Sequence, residues 1–422
     1  MNFTCYFCIS KLLMIEFEKF TLPNGLEVVF HQDKTSSLVC LNILYKVGSK
    51  NEDPNKTGFA HFFEHFMFGG SKHIPNFDSH LQAVGGDNNA FTSSDITNYY
   101  TTVPKNNIET SFWLESDRML ALSFEEEVLE REKKIVIEEF KQRYLNQPYG
   151  DVWLKLSPEA YQLHPYRWPT IGKKISHVED INMQDVKAFF NTYYAPSNAI
   201  LVIAGNVTLS EVQRLCTKWF APIDDRSVNK RIIPKEPKQT HSRHIDVKAQ
   251  VPQNAIYKAY HMPGRNSEQY QVNDLLSDIL GRGKSSLLHQ FGVKKSQIFS
   301  SLSSYVTGSI DPGLMIISGR LGENITFENA EKTIVNAFQE LVIQTSKSLK
   351  KVKNMATSSI TFGEINLLNR AMSLAYSTNL GNTDLVNKEK EIIEAVTEKD
   401  LSSAINTTLL ESNCTTLYYH KN

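Results

Sequence analysis

The spacing of apolar positions changes along the chain, and each change marks an element. Thr21 to Phe30 alternates around Asn24-Gly25, which predicts a hairpin turning at that pair. Leu38–Val47 is an apolar run of strand length. Gly58–Phe66 has helical spacing and is stopped by Gly69-Gly70. Asn76–Val84 reads as a further helix closed by Gly85-Gly86. Asn89–Val103, rich in Thr and Tyr, reads as a single strand. Ile108–Leu122 and Glu126–Tyr144 are helical, Asn198–Ala204 is an apolar strand, and Glu211–Phe220 is helical again. From Pro222 to Thr240 the periodicity stops. Pro222, Pro234 and Pro237 stand there among mixed charges, the mark of a linker. Beyond it, Ala255–His261 is a strand, Gln269–Leu280 a helix, and Gly281-Arg282-Gly283 a break. The two halves share an element order of strands, helices, strands and helix. That order suggests a structural repeat that residue identity does not display.

A chain of 422 residues has room for two or three domains. Apolar content of 41% and charged content of 22% are those of a globular protein. The net charge of −1 provides no basic field to draw nucleic acid or an anionic membrane. No apolar run reaches the roughly 18 residues that a membrane helix needs. Residues 1–13 are apolar but lack a positive n-region, a signal cleavage site and presequence arginines. They read as an extension, with Met14 the alternative start. Five cysteines (Cys5, Cys8, Cys40, Cys216 and Cys414) are too scattered for a disulfide framework. A reducing, cytoplasmic setting is expected. Cys5-x-x-Cys8 has no second pair to complete a zinc site.

The chemistry is concentrated in His61-Phe62-Phe63-Glu64-His65. Histidines at i and i+4 project from one helix face a turn apart, so one metal ion can take both imidazoles. Glu64 lies beside them with a carboxylate able to reach a water on that metal. Two neutral nitrogen ligands next to an unspent carboxylate suit zinc-assisted hydrolysis, and HxxEH is the inverted form of the HExxH motif.

A catalytic zinc usually takes a third protein ligand. The acidic helix downstream offers Glu130, Glu132, Glu138 and Glu139. Seven residues are nearly two helical turns, so Glu132 and Glu139 share a face. One can ligate while the other supports from behind.

In these residues the chain resembles the pitrilysin-type, or inverzincin, zinc metallopeptidases. Those enzymes pair HxxEH with a downstream motif of form ExxxxxxE, and Glu132-Lys133-Lys134-Ile135-Val136-Ile137-Glu138-Glu139 fits it. Gly58–Phe68, Asn89-Ala90-Phe91-Thr92, His164-Pro165-Tyr166 with Gly172, and Tyr194-Ala195-Pro196-Ser197-Asn198 also resemble stretches of the family, in the family's order. The resemblance implies an α+β fold of two similar domains, each an antiparallel sheet packed by helices, closing like a clamshell with a partner chain. It assigns residues 14–225 to a zinc-binding peptidase domain, 226–245 to a linker and 246–422 to a second domain of similar fold. It implies Zn²⁺ on His61, His65 and Glu139, with Glu138 the rival one residue out of register and Glu132 the supporting carboxylate. Glu64 becomes the catalytic base. Asn89, Ala90 and Phe91 become a substrate-binding edge strand to which a peptide adds by main-chain hydrogen bonds.

The chain departs from the family in its second half. Leu287 stands where a substrate-contacting Arg is expected, and Phe299 where the Tyr is expected. Neither side chain donates a hydrogen bond. This predicts a companion subunit that supplies the Arg and Tyr. Arg282 and Tyr305 are the neighbouring substitutes, which would allow a homodimer or monomer. The competing reading is a non-catalytic scaffold subunit of a peptidase-like complex.

Overall fold

The computed structural model describes residues 14–226, 231–343 and 345–422. The expectations for residues 1–13, including Cys5 and Cys8, lie outside the described residues. The strands are β1 (Glu18–Thr21), β2 (Glu27–Gln32), β3 (Leu38–Tyr45), β4 (Asp87–Thr92), β5 (Thr97–Pro104), β6 (Ala199–Gly205), β7 (Arg243–Ala249), β8 (Ala255–Met262), β9 (Phe299–Val306), β10 (Gly313–Leu321) and β11 (Cys414–Lys421). The helices that bear on function are α1 (Phe59–Phe66), α2 (Ile108–Leu120), α3 (Glu126–Phe140), α4 (Val152–Ala160), α5 (Met183–Tyr193), α6 (Gln269–Gly281) and α7 (Leu367–Asn379).

Two sheets form. The first runs β1-β2-β6-β3-β5-β4 and the second β7-β11-β8-β10-β9. Without β1 the two orders are the same, strand for strand, which establishes the repeat. The α+β reading holds, with one refinement: each sheet is antiparallel except for one pair. β2 runs parallel to β6, and β7 parallel to β11. In each case the partners are the first and last strands of the repeat, so the intervening elements serve as the long crossover that a parallel pair requires.

The sequence pattern explains which strands lie deepest. All seven residues of β6 are buried. Leu201 and Ile203 enter one apolar cluster, and Ile200, Val202 and Ala204 another on the opposite face. A strand covered on both faces carries a continuous apolar run rather than alternation. The stretch Asn89–Val103, expected to be one strand, is two. Ser93–Ile96 is a turn between β4 and β5, with the Ser93 hydroxyl accepting from the amides of Asp95 and Ile96, both at 3.1 Å. Serine and aspartate bond locally in this way and so interrupt a strand that threonine and tyrosine favour.

The compact units are not contiguous in sequence, unlike the expected 14–225 and 246–422. The first gathers the residues up to Ile137 with 170–232 and 361–389. The second gathers 138–169 with 233–360 and 390–422. Apolar helix faces account for this exchange. Val152, Leu156 and Ala160 of α4 are buried with Tyr257, Leu314 and Leu417 of the second sheet. Ala371, Leu374 and Ala375 of α7 are buried with Val29, Ile200 and Val202 of the first. Of the expected linker 226–245, Arg243 and the residues after it already belong to β7, while the stretch Pro222–Thr240 marked by composition ends before that strand.

Candidate metal centre

Helix α1 begins at Gly58, whose φ of +88° is left-handed. A Cβ there would meet the Ile171 carbonyl oxygen at 2.5 Å, so both conformation and space require glycine. No side chain at the N-cap satisfies the first amides. A carboxylate from the preceding turn does so instead. Glu52, 2% exposed, accepts from the amides of Gly58 at 3.0 Å and Ala60 at 2.8 Å. A negative charge at a helix N-terminus is favoured by the helix dipole. Arg231 in turn donates to the Glu52 carbonyl. Sequence spacing carries no signal for this cap, because Glu52 reaches the helix from outside it.

The buried side of α1 is Phe59, Ala60, Phe62, Phe63 and Phe66. Phe63 packs on Tyr194 with ring centroids 4.4 Å apart, and Phe59 on Phe189 of α5 at 4.7 Å. This aromatic bed keeps water from one side of the helix and turns the half-buried His61, Glu64 and His65 to the other. The two imidazoles meet edge to face, with centroids 4.9 Å apart at 79°. Ligand atoms of His61, His65 and Glu139 all lie within 4.8 Å of one another, the one such group among the described residues.

Glu139 stands in the last turn of α3, the unbroken helix that also carries Glu132. The division between compact units falls within this helix, so the helix itself sets the spacing of the two glutamates. Arg143, one turn further on, pairs with the Glu139 carboxylate at 2.8 Å. Glu132 is buried and lies behind His65, with Oε2 4.0 Å from Nδ1, while its Oε1 accepts from Arg131 at 2.9 Å. Glu138 points elsewhere: it is exposed and accepts from Gln142 at 3.1 Å. Of the two registers left open, the geometry gathers Glu139 and not Glu138. Two imidazoles and a carboxylate converging on one point are a donor set that fits zinc.

Glu64 has a partner that spacing does not reveal. The Thr92 hydroxyl donates to its Oε2 at 2.5 Å. Thr92 ends β4, which pairs with β5 on one side and terminates the sheet on the other. Asn89 and Phe91 point outward, and Ala90 and Thr92 are half-buried. Tyr99 and Tyr194, joined through their hydroxyls at 3.1 Å, lie within reach of the Glu64 charge. Burial first, and then neighbouring charge, raises both phenols well above their ordinary range and keeps them neutral.

In the second unit Leu287 and Phe299 are buried core residues, 6% and 2% exposed. Arg282 pairs with Asp278 at 2.9 Å, and Tyr305 is exposed on β9. The remaining histidines near the motif have structural partners. His73 pairs with Asp117 at 2.6 Å, and His80 packs edge to face on Trp113. His244, on the exposed face of β7, shares Asp246 with His420 across β7 and β11.

Comparison with known proteins gives the family. The family described as Insulinase (Peptidase family M16) matches residues 27–174, and that described as Peptidase M16 inactive domain matches residues 180–356. The chain is 32% identical over 332 residues to the zinc protease PqqE of Helicobacter pylori, covering 77% of this chain and 74% of that one. It is 26% identical over 387 residues to an uncharacterized zinc protease, YmxG, of Bacillus subtilis, covering 90% and 91%. Among solved structures, a protease from Helicobacter pylori superposes with a TM-score of 0.90 at 29% identity, covering 96% of this chain and 100% of that one.

Proposed function

This chain belongs to the pitrilysin-type M16 peptidase family, and from that premise we propose that it is a zinc-dependent endopeptidase acting on peptides or unfolded segments. The observation that carries the reading is the convergence of His61, His65 and Glu139 within 4.8 Å, with Glu64 on the same helix. In this reading the three are the zinc ligands and Glu132 supports His65 from behind. Zinc supplies a Lewis acid that acidifies water and polarises a carbonyl. Glu64 accepts the proton of the attacking water and passes it to the leaving amine. The open edge of β4 at Asn89, Ala90 and Phe91 receives the peptide as an added strand, so main-chain pairing favours broad sequence tolerance. The aromatic bed beneath α1 lowers the local dielectric and strengthens the electrostatics of the carboxylate.

The loss of donors at Leu287 and Phe299 favours a heterodimer in which a companion subunit completes the site. A homodimer using Arg282 and Tyr305 is the variant of this proposal. The same loss supports a second reading, a non-catalytic scaffold subunit. A reducing, cytoplasmic setting is also proposed, in keeping with the unpaired, buried Cys40, Cys216 and Cys414. Hydrolysis of a quenched peptide library, with metal analysis of the same sample, tests the proposal. About one zinc per chain with cleavage supports the peptidase. A chain isolated gently with no zinc and no cleavage supports the scaffold. Full activity without a partner on size-exclusion chromatography would remove the companion subunit.

A further inference from the structure

We infer that Thr92 is a positioning residue for Glu64 and that through it the occupancy of strand β4 reaches the base. The inference rests on the peptidase reading above. Thr92 has one hydroxyl proton, and it goes to the Glu64 carboxylate at 2.5 Å. A hydroxyl–carboxylate bond of that length is charge-assisted and among the stronger hydrogen bonds. Glu64 hangs on three side-chain torsions, and holding one oxygen fixes the direction of the other. The strand sets where the hydroxyl stands. Side chains alternate along β4, so Ala90 and Thr92 face the helix side while Asn89 and Phe91 face out.

Thr92 also sits at a mechanical boundary. On its C-terminal side the Ser93 hydroxyl staples the turn to Asp95 and Ile96. On its N-terminal side β4 is an edge strand with hydrogen bonds to β5 alone. A peptide adding to that edge would extend the ladder along Asp87–Thr92 and steady the strand end that carries the hydroxyl. Pairing along the strand would therefore be transmitted to the base through one hydrogen bond.

The test compares Thr92→Val, which keeps the shape, with Thr92→Ser, which keeps the hydroxyl. Both are made in the full-length enzyme in whatever assembly it isolates. Quenched peptides of two lengths are used, one long enough to pair along β4 and one too short to do so. Zinc affinity is measured separately by competition with a chromogenic chelator. Thr92→Val is expected to lower kcat about tenfold to a hundredfold, with KM shifting less than about threefold. The loss is expected to be larger for the long peptide. Zinc affinity should stay at the wild-type value, and Thr92→Ser should recover most of kcat. Wild-type kcat in Thr92→Val, or equal impairment in Thr92→Ser, would overturn the positioning role. A parallel loss of zinc affinity would make Thr92 structural and also overturn it. Equal losses for both peptides would remove the link to β4. A wild-type chain that holds zinc and cleaves neither peptide would instead overturn the peptidase reading, and this inference with it.

Discussion

Without β1 the two sheets have the same strand order, yet a helix with His61, Glu64 and His65 accompanies only the first. Helix α1 and helix α6 occupy equivalent places, each following the second strand of its repeat and packing near the edge strand, β4 or β9. In α1, five apolar residues make one side, and His61, Glu64 and His65 stand half-buried on the other. In α6, the run Leu275, Leu276, Ile279 and Leu280 is buried, and so are the polar Asn273 and Ser277, which bond within the fold. The edge strands differ in the same way. β4 is polar and half-exposed and ends on Thr92, whereas β9 buries Phe299, Leu302 and Ser304. One architecture therefore carries the candidate site in one copy and a packed body in the other. Function lies in the side chains grafted on a fold and not in the fold.

The sharpest way to break this comparison is to remove the base. Glu64→Gln is expected to lower kcat by about 10²- to 10⁴-fold while zinc stays bound. Residual activity near wild type would mean that the carboxylate is not the base. The second unit gives the contrasting result. Leu276 is fully buried in α6, so Leu276→Ala should cost about 2–5 kcal/mol of stability in a denaturant titration. Its kcat per zinc-loaded molecule should hold, and a fall would show that the second sheet and its helices contribute chemistry after all. Behind the first histidine pair, Glu132→Gln should weaken zinc affinity or activity about tenfold to a hundredfold. An unchanged zinc affinity and rate would reduce Glu132 to a packing residue.

The smallest expected effect is on the second sheet. His420 at 2.6 Å and His244 at 2.8 Å bond to Asp246 and hold its carboxyl below the usual range. A depressed carboxyl pKa stabilises the fold above the unfolded-state value, and that contribution is lost as pH falls through the folded-state value. The groups are exposed, so Asp246→Asn should cost less than about 1 kcal/mol at neutral pH. The difference from wild type should disappear under acid, and a difference that persists there would point to some other role for Asp246.

Much of the first unit is legible along the chain because its signals are local. Asn24-Gly25 marks a real turn between β1 and β2, and the spacing of His61, Glu64 and His65 puts them on one helix face. Glu132 and Glu139 share a face for the same reason. Other features join residues that are distant in sequence. Glu52 caps α1 from outside the helix, and Thr92 reaches Glu64 from strand β4. α4 and α7 leave their own halves because their apolar faces fit the other sheet. Local bonding overrides strand propensity where Ser93 and Asp95 break a strand that Thr and Tyr favour.

By itself, then, the sequence determined the candidate ligand types, the helix that carries two of them and the acidic helix that offers a third candidate, because helical period converts spacing directly into facing. Tertiary structure alone decided that Glu139 and not Glu138 joins the histidines. It also decided that Thr92 anchors Glu64 and that the two compact units exchange helices. Each of these depends on a distance between elements, and such distances are set by packing of buried faces that no local pattern encodes.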